Sequence, residues 1–141
     1  MEAVESAKAV TSEGLKMADI TKIMIVDDED DIRAIAELSL SNVAGWKVFP
    51  ISSGHLAEET AIKNSPDIVL LDVMMPEIDG PTTFGLLKAN PETNSIPIIF
   101  MTAKVQAKEI QQYIDLGAIG VIRKPFDPMI LHEEIQRLVD K

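Results

Sequence analysis

The stretch Asp67–Gly80, DIVLLDVMMPEIDG, decides how the rest of the chain is read. It begins with an apolar run, Ile68 to Leu71. A run that short, bounded by Pro66 and a polar loop, is the pattern of a strand buried on both faces. A single carboxylate, Asp72, closes it, and a loop carrying Pro76, Asp79 and Gly80 follows. Open parallel sheets hold ligands just outside the carboxyl ends of their strands. The pattern therefore puts Asp72 where chemistry takes place.

Working outward, the same unit recurs. Lys22–Val26 (KIMIV) reads as a first strand ended by Asp27 and Asp28. A helix over about residues 30–40 would turn Ile32, Ile35, Ala36 and Leu40 to one side. Trp46–Ile51 reads as a second strand, and Pro50 assigns it to a sheet edge. A weakly patterned helix over about 54–64 leads to the Asp72 strand. Pro81 suits the first turn of the next helix, because proline has no amide hydrogen to leave unpaired there. Ile96–Met101 reads as a fourth strand, capped by Thr102. A helix over about 104–115 carries Ile110, Tyr113 and Ile114 on one face. Ile119–Ile122 is a short fifth strand that ends in Arg123-Lys124-Pro125. A last helix from Asp127 or Pro128 would turn Ile130, Leu131, Ile135 and Leu138 inward. Strands alternate with helices five times, which predicts an α/β domain with a parallel sheet and right-handed crossovers. Residues 1–20 read as a flexible N-terminal extension and 21–141 as one domain.

Composition narrows the chemistry. The 141 residues fit one domain with an aliphatic core: 46% are hydrophobic but only 4% aromatic. There is no cysteine, which removes disulfides and thiolate metal sites. The net charge of −10, from 23 acids and 13 bases, repels phosphate backbones and anionic lipid. Direct nucleic-acid binding and membrane insertion are not expected, and a cytoplasmic location is.

Five polar residues fall at four strand ends: Asp27 and Asp28, Asp72, Thr102, and Lys124. With strand order 2-1-3-4-5, the first and third strands are neighbours at the switch point, and the three carboxylates converge. Two unit charges ~4 Å apart repel by about 4 kcal/mol at an effective dielectric of roughly 20, so such a cluster calls for a cation. Hard oxygen ligands with no histidine or cysteine at hand select Mg²⁺, with Mn²⁺ as a substitute, over zinc. The Thr102 hydroxyl and the Lys124 ammonium both suit phosphate. The reaction that fits is phosphoryl transfer, with a carboxylate able to act as nucleophile.

The four motifs that carry these residues are VDDE at 26–29, LLDVMMPEIDG at 70–80, FMTAK at 100–104 and VIRKPF at 121–126. Together and in this order they resemble the receiver domain of two-component response regulators over roughly residues 21–140. The resemblance implies a flavodoxin-like (βα)5 three-layer sandwich with a five-stranded parallel sheet. It implies Asp72 as phosphoacceptor. Asp28, Asp72 and the Met74 main-chain carbonyl would bind Mg²⁺ directly, and Asp27 would hold it through water. Thr102 and Lys124 would bind phosphoryl oxygens, and the Lys124-Pro125 peptide would be cis. The phosphodonor would be a sensor histidine kinase or a histidine phosphotransfer protein. Many receivers carry Tyr or Phe three residues before the lysine; Val121 stands there, so the switch at Thr102 would lack its aromatic partner. Met74 and Lys104 occupy positions that tune phosphate lifetime in the family.

Each residue also has a plainer reading. Asp27 and Asp28 suit a helix cap, Asp72 a turn, Thr102 an N-cap, and Lys124 a solvated charge. Their convergence on one sheet edge favours the site. Met74 and Met75 read as packing residues, and His55 and His132 as surface residues. Glu29, Asp30 and Asp31 read as a solvated first helical turn, and Glu133 and Glu134 as partners of Arg137. The function expected is a single-domain response regulator that catalyses no more than its own phosphorylation and dephosphorylation. The alternatives are a phosphorylation-independent interaction domain and, lower, a Mg²⁺-dependent phosphatase. The second lacks the further acid two residues after Asp72 that such enzymes usually carry.

Overall fold

The computed structural model describes residues 19–141. The extension expected over 1–20 lies outside them except for Asp19 and Ile20, and Ile20 is buried in the core. In chain order the elements are β1 (Lys22–Val26), α1 (Asp30–Asn42), β2 (Lys47–Ile51), a 3₁₀ turn (Gly54–Leu56), α2 (Ala57–Asn64), β3 (Ile68–Asp72), α3 (Gly80–Ala89), β4 (Ile98–Thr102), α4 (Ala107–Leu116), β5 (Gly120–Arg123) and α5 (Leu131–Val139). The five strands form one parallel sheet in the order β2-β1-β3-β4-β5. This is the α/β parallel sheet expected from the alternation of strands and helices, in the flavodoxin-like order that the resemblance implied.

The three layers follow from the two-residue period of a strand. Ile23, Ile25, Ile68, Leu70, Ile99, Met101 and Ile122 face one side, where Ala36 and Leu40 of α1 and Leu131, Ile135 and Val139 of α5 meet them. Met24, Val26, Val69, Leu71, Ile98 and Phe100 face the other, under Ala57 and Ala61 of α2 and Phe84 and Leu87 of α3. β3 and β4 are buried along their whole length. Burying one such aliphatic side chain contributes about 2 kcal/mol, so the centre of the sheet is its firmest part.

β2 is the edge strand that Pro50 implied. Lys47 N donates to Thr21 O, and Ile51 O accepts from Asp27 N, so both of these residues turn to β1. Alternation then points the backbone of Pro50 outward, where the missing donor leaves no ladder bond unmade.

Several helical expectations are corrected. The second helix opens with a 3₁₀ turn capped by Ser53, whose hydroxyl accepts from His55 N. The fourth starts at Ala107, not near 104, and the fifth at Leu131, after turns over 128–130. Ile35 and Ile130 do not face inward; both are exposed. Ser39 is buried on α1, its hydroxyl donating to Pro128 O, and Val139 at the far end of α5 is buried in the core. α4 is amphipathic yet buries none of its residues fully. Among the described residues, no acid lies within ion-pairing distance of Arg137.

Candidate functional site

Two neighbouring strand ends bring the acids together. Asp72 is the last residue of β3 and only 4% exposed. β1 is its neighbour, with Val26 level with Leu71, so Asp27 emerges beside Asp72. Asp27 is fully buried, and Asp28 next to it is half-buried. One oxygen from each of Asp27, Asp28 and Asp72 lies within 4.8 Å of the others. The turn that holds Asp27 is pinned twice. Its Oδ1 accepts from Glu29 N at 2.8 Å, and the Arg33 guanidinium donates to its carbonyl at 2.8 Å.

Lys124 reaches in from the end of β5. Its Nζ lies 3.1 Å from Asp27 Oδ2, 3.4 Å from Asp72 Oδ1 and 3.1 Å from Glu29 Oε1. The Lys124 amide donates to Thr102 O at 2.9 Å, and the Lys124-Pro125 peptide is cis. Thr102 ends β4, one residue past the level of Asp72, and is buried. Its hydroxyl accepts from Lys104 N at 3.0 Å. It therefore caps a local turn and is not the N-cap of α4. Asp28, Asp72, Met74, Thr102, Lys104 and Lys124 all line one open cleft.

The loop after β3 is held close. Gly80 N donates to Val73 O at 2.8 Å. A Cβ on Gly80 would stand 2.4 Å from Asp72 O and 2.8 Å from Val73 Cα, so any side chain there would displace the backbone of Asp72. Asp79 caps α3 by accepting from Thr82 N.

The electrostatics show surplus negative charge. Burial, and then the charge of Asp27, push the Asp72 carboxyl up to about 6, against the pull of Lys124. Burial also raises Asp27, against its hydrogen bonds from Glu29 N and Lys124. For Lys124, burial acts to lower the ammonium. Its hydrogen bond and attraction to Asp27, with Glu29 and Asp72 behind them, outweigh that and hold it above the ordinary lysine value. One ammonium does not neutralise this cluster, and the all-oxygen donor set fits a hard divalent cation.

Two of the remaining sequence expectations, at Met74 and His132, are corrected, while Met75 and His55 lie as expected. The Met74 side chain is exposed, so it does not pack; Met75 does, against the α2–α3 side of the core. Val121 is level with Phe100 on β5 and packs into that same side. His55 is on the surface, its Nε2 3.7 Å from Glu77. His132 is half-buried between α1 and α5, and neither histidine lines the cleft. Sequence reasoning missed Glu29, which it left in a solvated helical turn. Its adjacency to Asp27-Asp28 at a strand end was the available signal.

Comparison with known proteins agrees with the geometry. A family model described as the response regulator receiver domain matches residues 23–136. The probable transcriptional regulator ycf27 of Galdieria sulphuraria is 39% identical over 123 residues, which is 85% of this chain and 47% of that protein. The chain thus spans about half the length of the curated relatives it matches. Among solved structures, a response regulator from Desulfuromonas acetoxidans superposes with a TM-score of 0.76 at 33% identity, covering 84% of this chain and 95% of that one. The chemotaxis protein CheY4 of Vibrio cholerae superposes with a TM-score of 0.78 at 28% identity, covering 85% and 99%. Motif order, sheet topology and these matches coincide, and the chain belongs to the response regulator receiver domain family.

Proposed function

We propose that the chain accepts a phosphoryl group on Asp72 from a phosphohistidine of a sensor kinase or phosphotransfer protein, and signals in its modified form by binding a protein partner or relaying the group. The observation that carries this is the set of contacts around Asp72: two more carboxylates within 4.8 Å and an ammonium 3.4 Å from its Oδ1. In the reaction, a carboxylate oxygen of Asp72 attacks phosphorus. An O–P bond forms, the P–N bond to the donor imidazole breaks, and the electron pair leaves on the ring nitrogen. Lys124 offers an N–H to one phosphoryl oxygen, and the Thr102 hydroxyl donates its O–H to a second. A Mg²⁺ held by Asp27, Asp28, Asp72 and the Met74 carbonyl would supply charge neutralisation for the transferring group. Asp72 meets a donor in water, and its buried position keeps its carboxylate poorly solvated and reactive.

The domain that does this is residues 21–141, and the location proposed is the cytoplasm. Among the described residues, no helix is long and apolar enough to cross a membrane. The surplus acidic charge supports a protein partner over nucleic acid. With Val121 in place of a ring, the Thr102 movement would be transmitted by aliphatic packing against Phe100. Incubation with Mg²⁺ and acetyl phosphate, followed by intact-mass measurement, tests the reading. One phosphoryl adduct located on Asp72 by peptide mapping is expected. No adduct with acetyl phosphate, and none with any of a panel of histidine kinases, would sink it.

A further inference from the structure

Glu29 is the one carboxylate on Lys124 to which the phosphoacceptor reading gives no role. An ammonium has three donors; among the described residues Lys124 gives hydrogen bonds to Asp27 and Glu29, both at 3.1 Å, and lies 3.4 Å from Asp72. A phosphoryl oxygen on Asp72 competes with these carboxylates for Lys124. Asp27 is fully buried, and its other oxygen is tied to the Glu29 amide. Asp72 is the acceptor itself and stays. The Glu29 side chain is 59% exposed. Among the described residues its carboxylate has no hydrogen-bond partner besides Lys124. Its residue is the N-cap of α1, yet the side chain makes no capping bond, so helix α1 does not need it in place. Of the three partners, Glu29 is the one that can leave at low cost.

We infer that Glu29 is a positioning residue that occupies Lys124 in the unmodified protein and slows phosphoryl loading of Asp72. It acts in two ways. It holds a donor of Lys124 that the incoming group needs, and it adds a negative charge at the mouth of a cleft that an anionic phosphodonor must enter. When Asp72 is loaded, Lys124 turns to the phosphoryl oxygen and Glu29 swings to solvent. The inference rests on the phosphoacceptor reading of Asp72. The step timed is attack of Asp72 on phosphorus, with the P–O bond to acetate breaking and its electron pair leaving on acetate.

The test is a time course of adduct formation on the full chain with acetyl phosphate and excess Mg²⁺, for wild type, Glu29→Gln, Glu29→Ala and Glu37→Gln. Glu37 is exposed on α1 and does not line the cleft, so it controls for the change in net charge. Both Glu29 variants should load about three- to tenfold faster at low salt, because exposed charges at this range act through a high effective dielectric. The ratio should shrink as salt shortens the screening length, a response that a merely structural role would not give. Glu37→Gln should match wild type. Equal or slower loading in both Glu29 variants overturns the inference, as does the same acceleration in Glu37→Gln. A wild-type protein that forms no adduct fails the phosphoacceptor reading itself; a wild-type adduct with unchanged Glu29 variants fails this inference alone.

Discussion

Two aspartates bracket one strand and live opposite lives. Asp67 precedes β3 on the amino side of the sheet, and Asp72 closes β3 on the carboxyl side. Asp67 is exposed, and its Oδ2 accepts from Thr21 N at 2.9 Å, Thr21 Oγ1 at 3.1 Å and Lys22 N at 2.9 Å. Burial is the largest single influence and acts to raise it, but those bonds together outweigh burial and hold its carboxyl below the ordinary range. Asp72 is buried beside another acid and rises to about 6. The same residue type therefore stabilises the fold at one end of the strand and opposes it at the other. Asp67 clips the start of β1 to β3. Asp72 is held against its own preference by the four apolar residues before it. A reactive carboxylate is kept poorly compensated, and the apolar strand supports it.

The largest effect that tests this contrast is chemical. Asp72→Asn should abolish the phosphoryl adduct in the mass measurement, whereas Asp67→Asn should load at close to the wild-type rate. Loss in both would erase the distinction between the two ends. Next comes the strand between them. Leu70 is fully buried, and Leu70→Ala should cost about 3 kcal/mol in urea unfolding. The folded fraction should still load Asp72, since Leu70 lies outside the cleft.

The third effect has the opposite sign. A carboxyl whose folded value is raised binds its proton more tightly folded than unfolded. Asp72 therefore costs stability as pH rises from the ordinary 3.8 through about 6. In chelator at pH 7, Asp72→Asn should raise stability by about 1 to 3 kcal/mol. Mg²⁺ should reverse the order by favouring wild type. A variant no more stable than wild type in chelator would mean Lys124 already balances the cluster.

The smallest effect is at Asp67. A lowered folded value contributes stability above the ordinary 3.8 that is lost as pH falls below it. Asp67→Asn should cost about 1 kcal/mol at pH 7, kept small by solvent screening. Melting curves of variant and wild type should converge in acid. A gap that persists at pH 2 would point to packing in place of charge.

Much of this was legible in the residues. The unbroken apolar runs of β3 and β4 announce strands buried on both faces, and Asp27, Asp28, Asp72, Thr102 and Lys124 could be placed because each follows such a run. Pro50 identified the edge. Helix boundaries and faces were harder. α4 and α5 both look amphipathic, yet α5 seats Leu131, Ile135 and Val139 in the core and α4 seats none. How deep a helix sits depends on the space its connecting loop leaves, which periodicity does not encode. Ile35 and Ile130 failed for the same reason. Asp67 received no role from the sequence, because its partners Thr21 and Lys22 lie over 40 positions away. Glu29 was lost because an acid in a first helical turn already has a sufficient explanation in the helix dipole.

The outward Pro50 of β2 has a consequence for how copies of this protein meet in a crowded cell. An exposed edge strand is a template on which another chain can lay down its own backbone, and repetition of that contact leads toward fibrils. On β2, residues 47, 49 and 51 are turned to β1, which leaves 48 and 50 to face a newcomer. One of those two has no amide hydrogen. A strand arriving at that edge finds a single donor where a continuing ladder needs a regular series. The protein is thereby protected along this edge from growing its sheet at a neighbour's expense, and contacts made through helices and loops are favoured there instead.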